Sequence, residues 1–327
     1  MSWVVLQVMS GPRSLVQLRG KVKVGKQFVK LSPELLYNRV YQVKNGEPEL
    51  ASGEDTYDGP VTGDNRGFID DNTAQTLTSE EIIEIRNSEG GEALINTLVQ
   101  NSKTFNMKTQ FSQEKYLRKK KNKHLALFKI LRATPGNIAD TQYSQKPSKS
   151  IRSDALHNLL ALGNIHSDCA VLVYDDIGGI LLGSVLEKTT GTVSVVRHAH
   201  YRDHNLKYFG IKVNSERISH VLPENPAGTY DSLIVASQEP LKEILEKYLP
   251  LLRPSGTIST YSQDLMQVAI VYEWLIKETL AVNVCLEEIW TREFQVLPER
   301  THPNMNSRQG SSGGYIVSGN KVISEIS

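Results

Sequence analysis

The sequence predicts an α/β protein whose larger part is a doubly wound, mostly parallel sheet, preceded by a small β domain. From about residue 125 onward, short apolar runs alternate with segments of helical periodicity, as crossover helices between parallel strands require. Residues 169–174 are apolar throughout, which indicates a strand buried on both faces. Near the N-terminus, Val4, Leu6 and Val8 recur at every second position, as in a half-buried strand.

Local signals divide the chain into three parts. Residues 1–75 form the small β domain with an acidic linker, residues 76–124 a helical connector with a basic segment, and residues 125–327 the Rossmann-like sheet domain. About forty residues are too few for an independent core, so we expect the β module to pack against another part of the chain. In the connector, Thr78 and Glu81 form a capping box, and Ser112 is the predicted N-cap of a helix over 112–123.

The elements of the sheet domain follow one another as a doubly wound sheet requires. Gly178 and Gly179 open one short helix, and no helix separates the last two strands, so we expect those two to form an antiparallel closing pair. This arrangement is typical of S-adenosylmethionine-dependent methyltransferases. The predicted strands are 169–174, 192–196, 232–236, 256–260, 284–296 and 314–322, and the predicted helices are 153–162, 178–186, 240–249 and 265–280.

The net charge of +1 hides two segments of opposite sign. The chain has 37 basic and 36 acidic residues, a balance that taken alone argues against a nucleic-acid-binding protein. Residues 47–71, however, contain eight acids and one base, whereas residues 103–123 contain eight bases and one acid. We interpret the first segment as a disordered linker, because it has too few large apolar residues to offset its ordering entropy.

The basic segment predicts RNA binding. Its four consecutive bases cover a full helical turn, so their charge cannot be confined to one outer face, and like charges this close destabilise a helix unless an anion is present. RNA phosphates would relieve that repulsion and release counterions, which gives backbone recognition rather than base readout. A solvated helix face is the alternative interpretation. The predicted contacts are Lys115, Arg118, Lys119, Lys120, Lys121 and Lys123.

The expected cofactor site departs from its pattern at three positions. A methyltransferase turn reads acid-x-Gly-x-Gly-x-Gly; Asp176 and Gly178 match, but Ile180 stands where a glycine would let the cofactor approach the backbone. Arg197 follows the second strand, where an acid should accept from the ribose hydroxyls. We interpret residues 236–240 as a third departure, at the place where amine-methylating enzymes commonly carry an acid or Asn before Pro. The sequence therefore predicts a degenerate site, with a divergent but active enzyme as the alternative.

Two other groups of residues are candidate sites. Residues 198–204 resemble a His-x-His-x-Asp-His zinc motif, but one extra residue would rotate Asp203 and His204 away from a shared metal, so we predict no metal site. Arg300 and His302 lie in a loop that we expect to project toward RNA or a partner's active site. A turn held by the flanking prolines is the alternative for that loop.

The remaining composition points to a soluble intracellular protein. Cys169 and Cys285 are the two cysteines of the chain; they fit a reducing compartment, and we expect both to be buried core thiols. No apolar run approaches the roughly 18–20 residues of a membrane span, and the first residues show no signal peptide.

Five segments carry a recognisable pattern in the same order along the chain. They read Phe-Ser-Gln-Glu-Lys-Tyr-Leu-Arg-Lys-Lys-Lys at 111–121, a Leu-rich helix ending in Gly-Asn-Ile at 159–165, Asp-Ile-Gly-Gly-Ile-Leu at 176–181, Arg-Thr-His-Pro-Asn-Met at 300–305 and Gly-Gly-Tyr-Ile-Val-Ser-Gly-Asn-Lys-Val at 313–322. Together they resemble the non-catalytic subunit family of eukaryotic tRNA (adenine-58-N1)-methyltransferase, over roughly residues 78–322.

The resemblance implies a chain that supplies tRNA-binding surface and has no catalytic residues, with no cofactor of its own. It implies a catalytic partner that holds S-adenosylmethionine, an α2β2 heterotetramer and a location in the nucleus. Two other functions stay open: an active S-adenosylmethionine-dependent RNA methyltransferase with divergent motifs, and a scaffold whose Rossmann-like domain serves only protein assembly, for instance in translation initiation.

Overall fold

The fold is given by a computed structural model that describes residues 2–51, 75–211, 216–297, 300–303 and 312–322. Two compact units emerge: an N-terminal unit, Val4–Arg132, and a C-terminal unit, Ala133–Ser327 together with Met1–Trp3. Most of the predicted acidic linker and of the Gly- and Ser-rich loop before the last strand lies outside the described residues.

The N-terminal unit is built on a five-stranded sheet with the order β2-β1-β7-β5-β6 and a separate β3–β4 hairpin. Its helices α1, α2 and α3 lie in sequence between β6 and β7. The elements are β1 (Trp3–Val8), β2 (Arg13–Gln17), β3 (Lys21–Val24), β4 (Gln27–Lys30), β5 (Val40–Lys44), β6 (Glu47–Leu50), α1 (Ser79–Ser88), α2 (Gly90–Gln100), α3 (Gln110–His124) and β7 (Leu127–Arg132).

Strand β7 completes the small β module from a distant part of the chain. It pairs antiparallel with β1, where Ile130 faces Leu6, and with β5, where Phe128 faces Tyr41. Phe128 and Ile130 are fully buried in the core of this sheet. The sequence placed residues 125–132 in the following domain, but their pairing assigns β7 to the N-terminal unit.

The first residues of the predicted linker are a strand. Glu47–Leu50 form β6 and pair with β5, which corrects the interpretation of residues 47–50 as disordered. The turn between the two strands is Asn45-Gly46, and both residues have positive φ (52° and 83°). An Asn-Gly pair between two strands is a strong hairpin signal, and it overrides the acidic composition here.

The helices of the connector begin and end at local sequence signals. Thr78 accepts from the backbone N–H of Glu81, whose carboxylate accepts in return from Thr78, so the predicted capping box is confirmed. Glu89 lies between α1 and α2, and α2 begins at Gly90, which has a φ of 89°. The N-cap of α3 is Thr109 and not Ser112; Ser112 lies inside the first turn, where its hydroxyl accepts a hydrogen bond from Thr109.

The C-terminal unit is a seven-stranded sheet with helices on both faces and the order β10-β9-β8-β11-β12-β16-β13. Its elements are α4 (Pro135–Gln145), α5 (Ser153–Leu162), β8 (Val171–Asp175), α6 (Ile180–Lys188), β9 (Val193–Val196), β10 (Ile218–Val221), β11 (Tyr230–Ala236), α7 (Leu241–Tyr248), β12 (Leu252–Ser262), α8 (Leu265–Lys277), β13 (Ala281–Trp290), β14 (Phe294–Leu297), β15 (Arg300–Pro303) and β16 (Ser312–Lys321).

The predicted doubly wound sheet is confirmed. Strand β8 is buried along its whole length and pairs in parallel with β9 and β11. Strand β16 lies antiparallel between β12 and β13, so the closing pair is also confirmed. Two apolar clusters, one packed against each face of the sheet, form the core. Helix α4 and strand β10 are elements that the sequence analysis did not predict.

Two expectations for this unit are wrong. Residues 300–303 are not loop but strand β15, which pairs with β14 and places His302 opposite Gln295. Cys169 is buried, whereas Cys285 is exposed, because β13 is the edge strand of the sheet and has a neighbouring strand on one side only. Within the described residues, no helix combines the length and the apolar character needed to cross a membrane.

Candidate nucleic-acid interface and degenerate cofactor site

Helix α3 carries the six predicted lysine and arginine contacts on three of its faces. Lys115, Lys119 and Lys123 follow one another at intervals of four residues and are exposed, so they form a continuous cationic stripe. Arg118 and Lys121 line a groove of about 870 Å³ in the N-terminal unit. The basic charge is therefore spread around the helix, as its sequence predicts.

Lys120 occupies the third face and packs against an aromatic side chain. Its ammonium lies 5.2 Å from the ring centroid of Tyr116, and the ammonium of Lys108 lies 5.2 Å from the same centroid. Burial lowers the pKa of Lys120, and the positive charges of Lys123, Lys119 and Lys108 lower it further. Lys120 thus contributes a packed cation–π contact and is less accessible to an RNA phosphate than the exposed stripe.

The last residue of α3 is a buried histidine that stays neutral. Burial and the positive charges of Lys123, Lys120 and Arg86 lower the pKa of His124 to about 4. Its Nδ1 atom has no hydrogen-bond partner in the described part of the chain. The positive charge at the C-terminus of α3 therefore comes from its lysines. Their position in the last turn is also favourable because the helix dipole is negative at that end.

Arg300 and His302 belong to the C-terminal unit, whereas the six α3 residues belong to the N-terminal unit. The ring of His302 is half-buried, and its Nδ1 lies 3.1 Å from the carbonyl oxygen of Pro303. The side chain of Arg300 lies outside the described residues. Their role in RNA binding stays a prediction.

The acid that organises the glycine turn of the C-terminal unit is Asp175, the last residue of β8. Its carboxylate, fully buried, accepts the backbone N–H groups of Ile177 (2.9 Å), Gly179 (3.1 Å) and Leu182 (2.8 Å). Burial raises the pKa of Asp175 to about 6, although these three hydrogen bonds act in the opposite direction. The motif spacing in the sequence predicts Asp176 at this position, but Asp176 is only half-buried.

The glycines of the turn contact the protein's own chain. A Cβ on Gly178 would lie 2.6 Å from the His204 ring and 2.8 Å from the amide nitrogen of Asn205. In the helix that follows the turn, α6, a Cβ on Gly183 would lie 2.6 Å from the ring of Phe209. In a dinucleotide-binding or methyltransferase fold, the cofactor lies in the space that the missing side chains of such glycines leave open. Here residues 203–209, called the plug segment below, take that space.

Arg197 follows β9, as predicted, at the place of the ribose-binding acid. Its Nε donates to Nδ1 of His220 at 3.1 Å, and its guanidinium lies 4.7 Å from the ring centroid of Tyr201. The nearest carboxylate oxygen, on Asp203, is 3.8 Å away. Arg197 is thus held by contacts of its own and offers donors where two hydroxyl groups need an acceptor.

The segment after β11 differs from the expected departure. Glu239 precedes Pro240, so an acid before proline is present after all. The hydroxyl of Tyr174 donates to the Glu239 carboxylate, and Nε2 of His200 lies 3.7 Å from it. Burial, together with Glu239, raises the pKa of Tyr174. The Tyr174 ring also stacks on His198 with centroids 4.3 Å apart, and the Nδ1 atom of His198 is buried with no hydrogen-bond partner among the described residues.

The residues at the strand ends therefore do not fit S-adenosylmethionine. The plug segment fills the glycine turn, Ile180 and Leu182 are fully buried, and Arg197 stands in place of the acid. No group of three or more potential metal ligands occurs among the described residues. Asp175 and the plug residues Asn205 and Phe209 were not among the predicted site residues. An acid ending an apolar strand was a signal for Asp175; the plug has no local signal.

Comparisons with known proteins agree with this geometry. The model of the Gcd10p family matches residues 2–224. A relative from Dictyostelium discoideum, named tRNA (adenine(58)-N(1))-methyltransferase non-catalytic subunit, is 28% identical and covers 99% of this chain and 79% of its own length. The mouse protein of the same name is 24% identical, covering 95% of this chain and 85% of its own length.

Solved structures share the fold. A tRNA (m1A58) methyltransferase from Aquifex aeolicus superposes with a TM-score of 0.54 at 16% identity and covers 99% of this chain and 98% of its own. An S-adenosylmethionine-dependent O-methyltransferase from Thermotoga maritima gives a TM-score of 0.57 at 13% identity, covering 100% and 95%. The C-terminal unit thus has the Rossmann-like methyltransferase fold.

Proposed function

The chain belongs to the Gcd10p family, and from that membership we propose that it is the non-catalytic, tRNA-binding subunit of a tRNA (adenine(58)-N(1))-methyltransferase. A separate catalytic chain holds S-adenosylmethionine and transfers the methyl group. The observation that carries this proposal is the glycine turn filled by the plug segment. Because residues 203–209 already occupy the space next to the turn, S-adenosylmethionine cannot bind there. The names of the relatives support the same assignment.

In this function the N-terminal unit supplies cationic surface for tRNA. The exposed stripe Lys115, Lys119 and Lys123 contacts phosphates, and Arg118 and Lys121 extend the contact along the neighbouring groove. Such contacts position a folded RNA without reading its bases. Arg300 and His302 on β15 are separate RNA contacts of the C-terminal unit. The assembly is an α2β2 heterotetramer located in the nucleus.

The proposal is tested by reconstitution with a catalytic methyltransferase chain. We expect methylation of a tRNA transcript only when both chains are present, and no calorimetric binding of S-adenosylmethionine to this chain alone. Turnover by the isolated chain, or micromolar binding of the cofactor to it, would support the alternative of an active enzyme with divergent motifs.

The RNA-binding role of α3 has a separate test. Replacing Lys115, Lys119 and Lys123 with Gln should weaken tRNA binding by the complex and reduce the slope of log affinity against log salt by about two to three. The matched control replaces with Gln three lysines that are exposed on and around the β3–β4 hairpin, Lys23, Lys26 and Lys30. If the two variants have equal slopes of log affinity against log salt, α3 does not contact RNA and is a solvated helix.

A further inference from the structure

The plug segment has a second face that its role in filling the glycine turn does not explain. Asn205 and Leu206 point inward and are 2% and 0% exposed. Arg202 and Lys207, beside and on the same segment, are exposed. One short stretch of chain therefore closes the cofactor cradle and presents basic side chains to solvent in its place.

Lys207 lies beside two aromatic rings of the same unit. Its ammonium is 5.7 Å from the centroid of Trp3 and 5.0 Å from that of Tyr208. The two rings meet edge to face at 4.9 Å, and both are half-exposed. Lysine next to accessible aromatic surface is the combination that binds unpaired nucleotides, because a base stacks on the ring while its phosphate meets the cation.

Further positive charge converges on this place. After burial, the charges of Lys207, Lys146 and Arg202 lower the pKa of His204, and the charge of Asp203 opposes them. Lys146 is exposed. No salt bridge engages Lys146, Arg202 or Lys207 within the residues that the structure describes. Nη1 of Arg202 donates to the carbonyl oxygens of Tyr201 (2.7 Å) and Ala199 (3.4 Å), but these uncharged acceptors leave its positive charge uncompensated.

We propose that Lys146, Arg202 and Lys207, together with Trp3 and Tyr208, form a second RNA-binding surface, and that it takes an unpaired stretch of the substrate RNA. The inference rests on the proposed function and adds a surface on the C-terminal unit. The cations hold phosphates, and the rings stack on a base. An unpaired stretch is required because bases inside a duplex have no free face for stacking.

The charge component is tested on the full chain in complex with its catalytic partner, with a tRNA transcript as the probe. Lys146→Gln, Arg202→Gln and Lys207→Gln combined should weaken binding by roughly tenfold at physiological salt and reduce the salt slope by about two to three. The control removes three exposed lysines from α6, α7 and α8 (Lys188→Gln, Lys247→Gln and Lys277→Gln) and should change neither. Equal behaviour of the two triple variants overturns the proposal.

The stacking component has a spectroscopic test. The chain has three tryptophans, so Trp274→Phe with Trp290→Phe leaves Trp3 as the reporter. A single-stranded uridine dodecamer should quench its fluorescence more than an RNA duplex of equal length, and Trp3→Ala should weaken dodecamer binding with the salt slope unchanged. Absence of quenching, or equal quenching by polyglutamate, overturns the proposal. The two-chain activity and the effect of the α3 variant stay intact in either case.

Discussion

The backbone N–H of Asn205 donates a 3.1 Å hydrogen bond to the carbonyl oxygen of Gly178. Through this bond the plug segment is tied directly to the turn on which a methyltransferase would hold its cofactor. The turn therefore departs from a cofactor site in two ways, through this contact and through its missing motif residues. Restoring the motif residues alone leaves that contact in place.

The first prediction follows from this distinction. The double variant Ile180→Gly with Arg197→Asp repairs two departures from the cofactor pattern, yet we expect it to bind no S-adenosylmethionine, because residues 203–209 still fill the cradle. Isothermal titration calorimetry on the purified chain measures this, with the catalytic partner as the positive control. Micromolar binding by the variant would show that the missing residues alone had abolished the site.

The second prediction concerns the packing of Gly183 against Phe209. A Cβ on Gly183 would lie 2.6 Å from two carbons of that ring, so Gly183→Ala should reduce the free energy of unfolding by about 1–3 kcal/mol through overpacking. In a Phe209→Ala background the clash is gone, and the same change should be neutral or stabilising, because Ala is the better helix former by about 1 kcal/mol.

Urea unfolding followed by tryptophan fluorescence provides this measurement, because all three tryptophans belong to the C-terminal unit. Additive effects of Gly183→Ala and Phe209→Ala in the double-mutant cycle would mean that the two side chains do not meet.

The third prediction concerns the pH dependence that Asp175 confers. Because burial raises its pKa to about 6, the folded state binds its proton more tightly than the unfolded chain, so its stabilising contribution is present below about pH 4 and is lost as the pH rises to about 6. Relative to Asp175→Asn, the unsubstituted chain should lose about 2 kcal/mol of unfolding free energy between pH 4 and pH 6. The difference between the two proteins cancels the titration of all other groups, and parallel pH profiles would contradict the prediction.

The fourth prediction concerns His124 and has the opposite sign. Because its pKa is lowered to about 4, the unfolded chain binds a proton first as the pH falls, so stability is lost between about pH 6.5 and pH 4. At pH 5 the helix containing His124 should be destabilised by about 2 kcal/mol relative to its stability at pH 7. Lys123 and Lys120 on α3, and Arg86 on α1, are the charged groups that act on it.

Hydrogen exchange of α3 peptides, corrected for the intrinsic pH dependence, measures this local stability. The control is His124→Leu, which places an apolar side chain of similar size at the buried position and removes the titrating ring. An α3 helix that loosens equally at pH 5 in both proteins would exclude His124 as the cause.

Much of the fold could be predicted because its signals are local. The capping box joins Thr78 and Glu81, which are three residues apart. The burial of β8 on both faces is evident from its apolar residues alone. The Asn45-Gly46 turn is an equally local signal, but the interpretation of residues 47–71 rested on acidic composition alone and did not include it. Asp175 was missed by one position, because spacing alone does not show which of two adjacent acids points inward.

By itself, the sequence determined the alternation of strands and helices, the basic charge of α3 and the departures at Ile180 and Arg197, because each depends on residue type and short spacing. Only the tertiary structure decided that β7 completes the N-terminal sheet and that the plug segment fills the glycine turn. Both depend on contacts between segments separated along the chain, such as Ile130 with Leu6 and Asn205 with Gly178. Which segments pack together depends on all the buried surfaces of the chain at once, and a pattern of neighbouring residues does not contain that information.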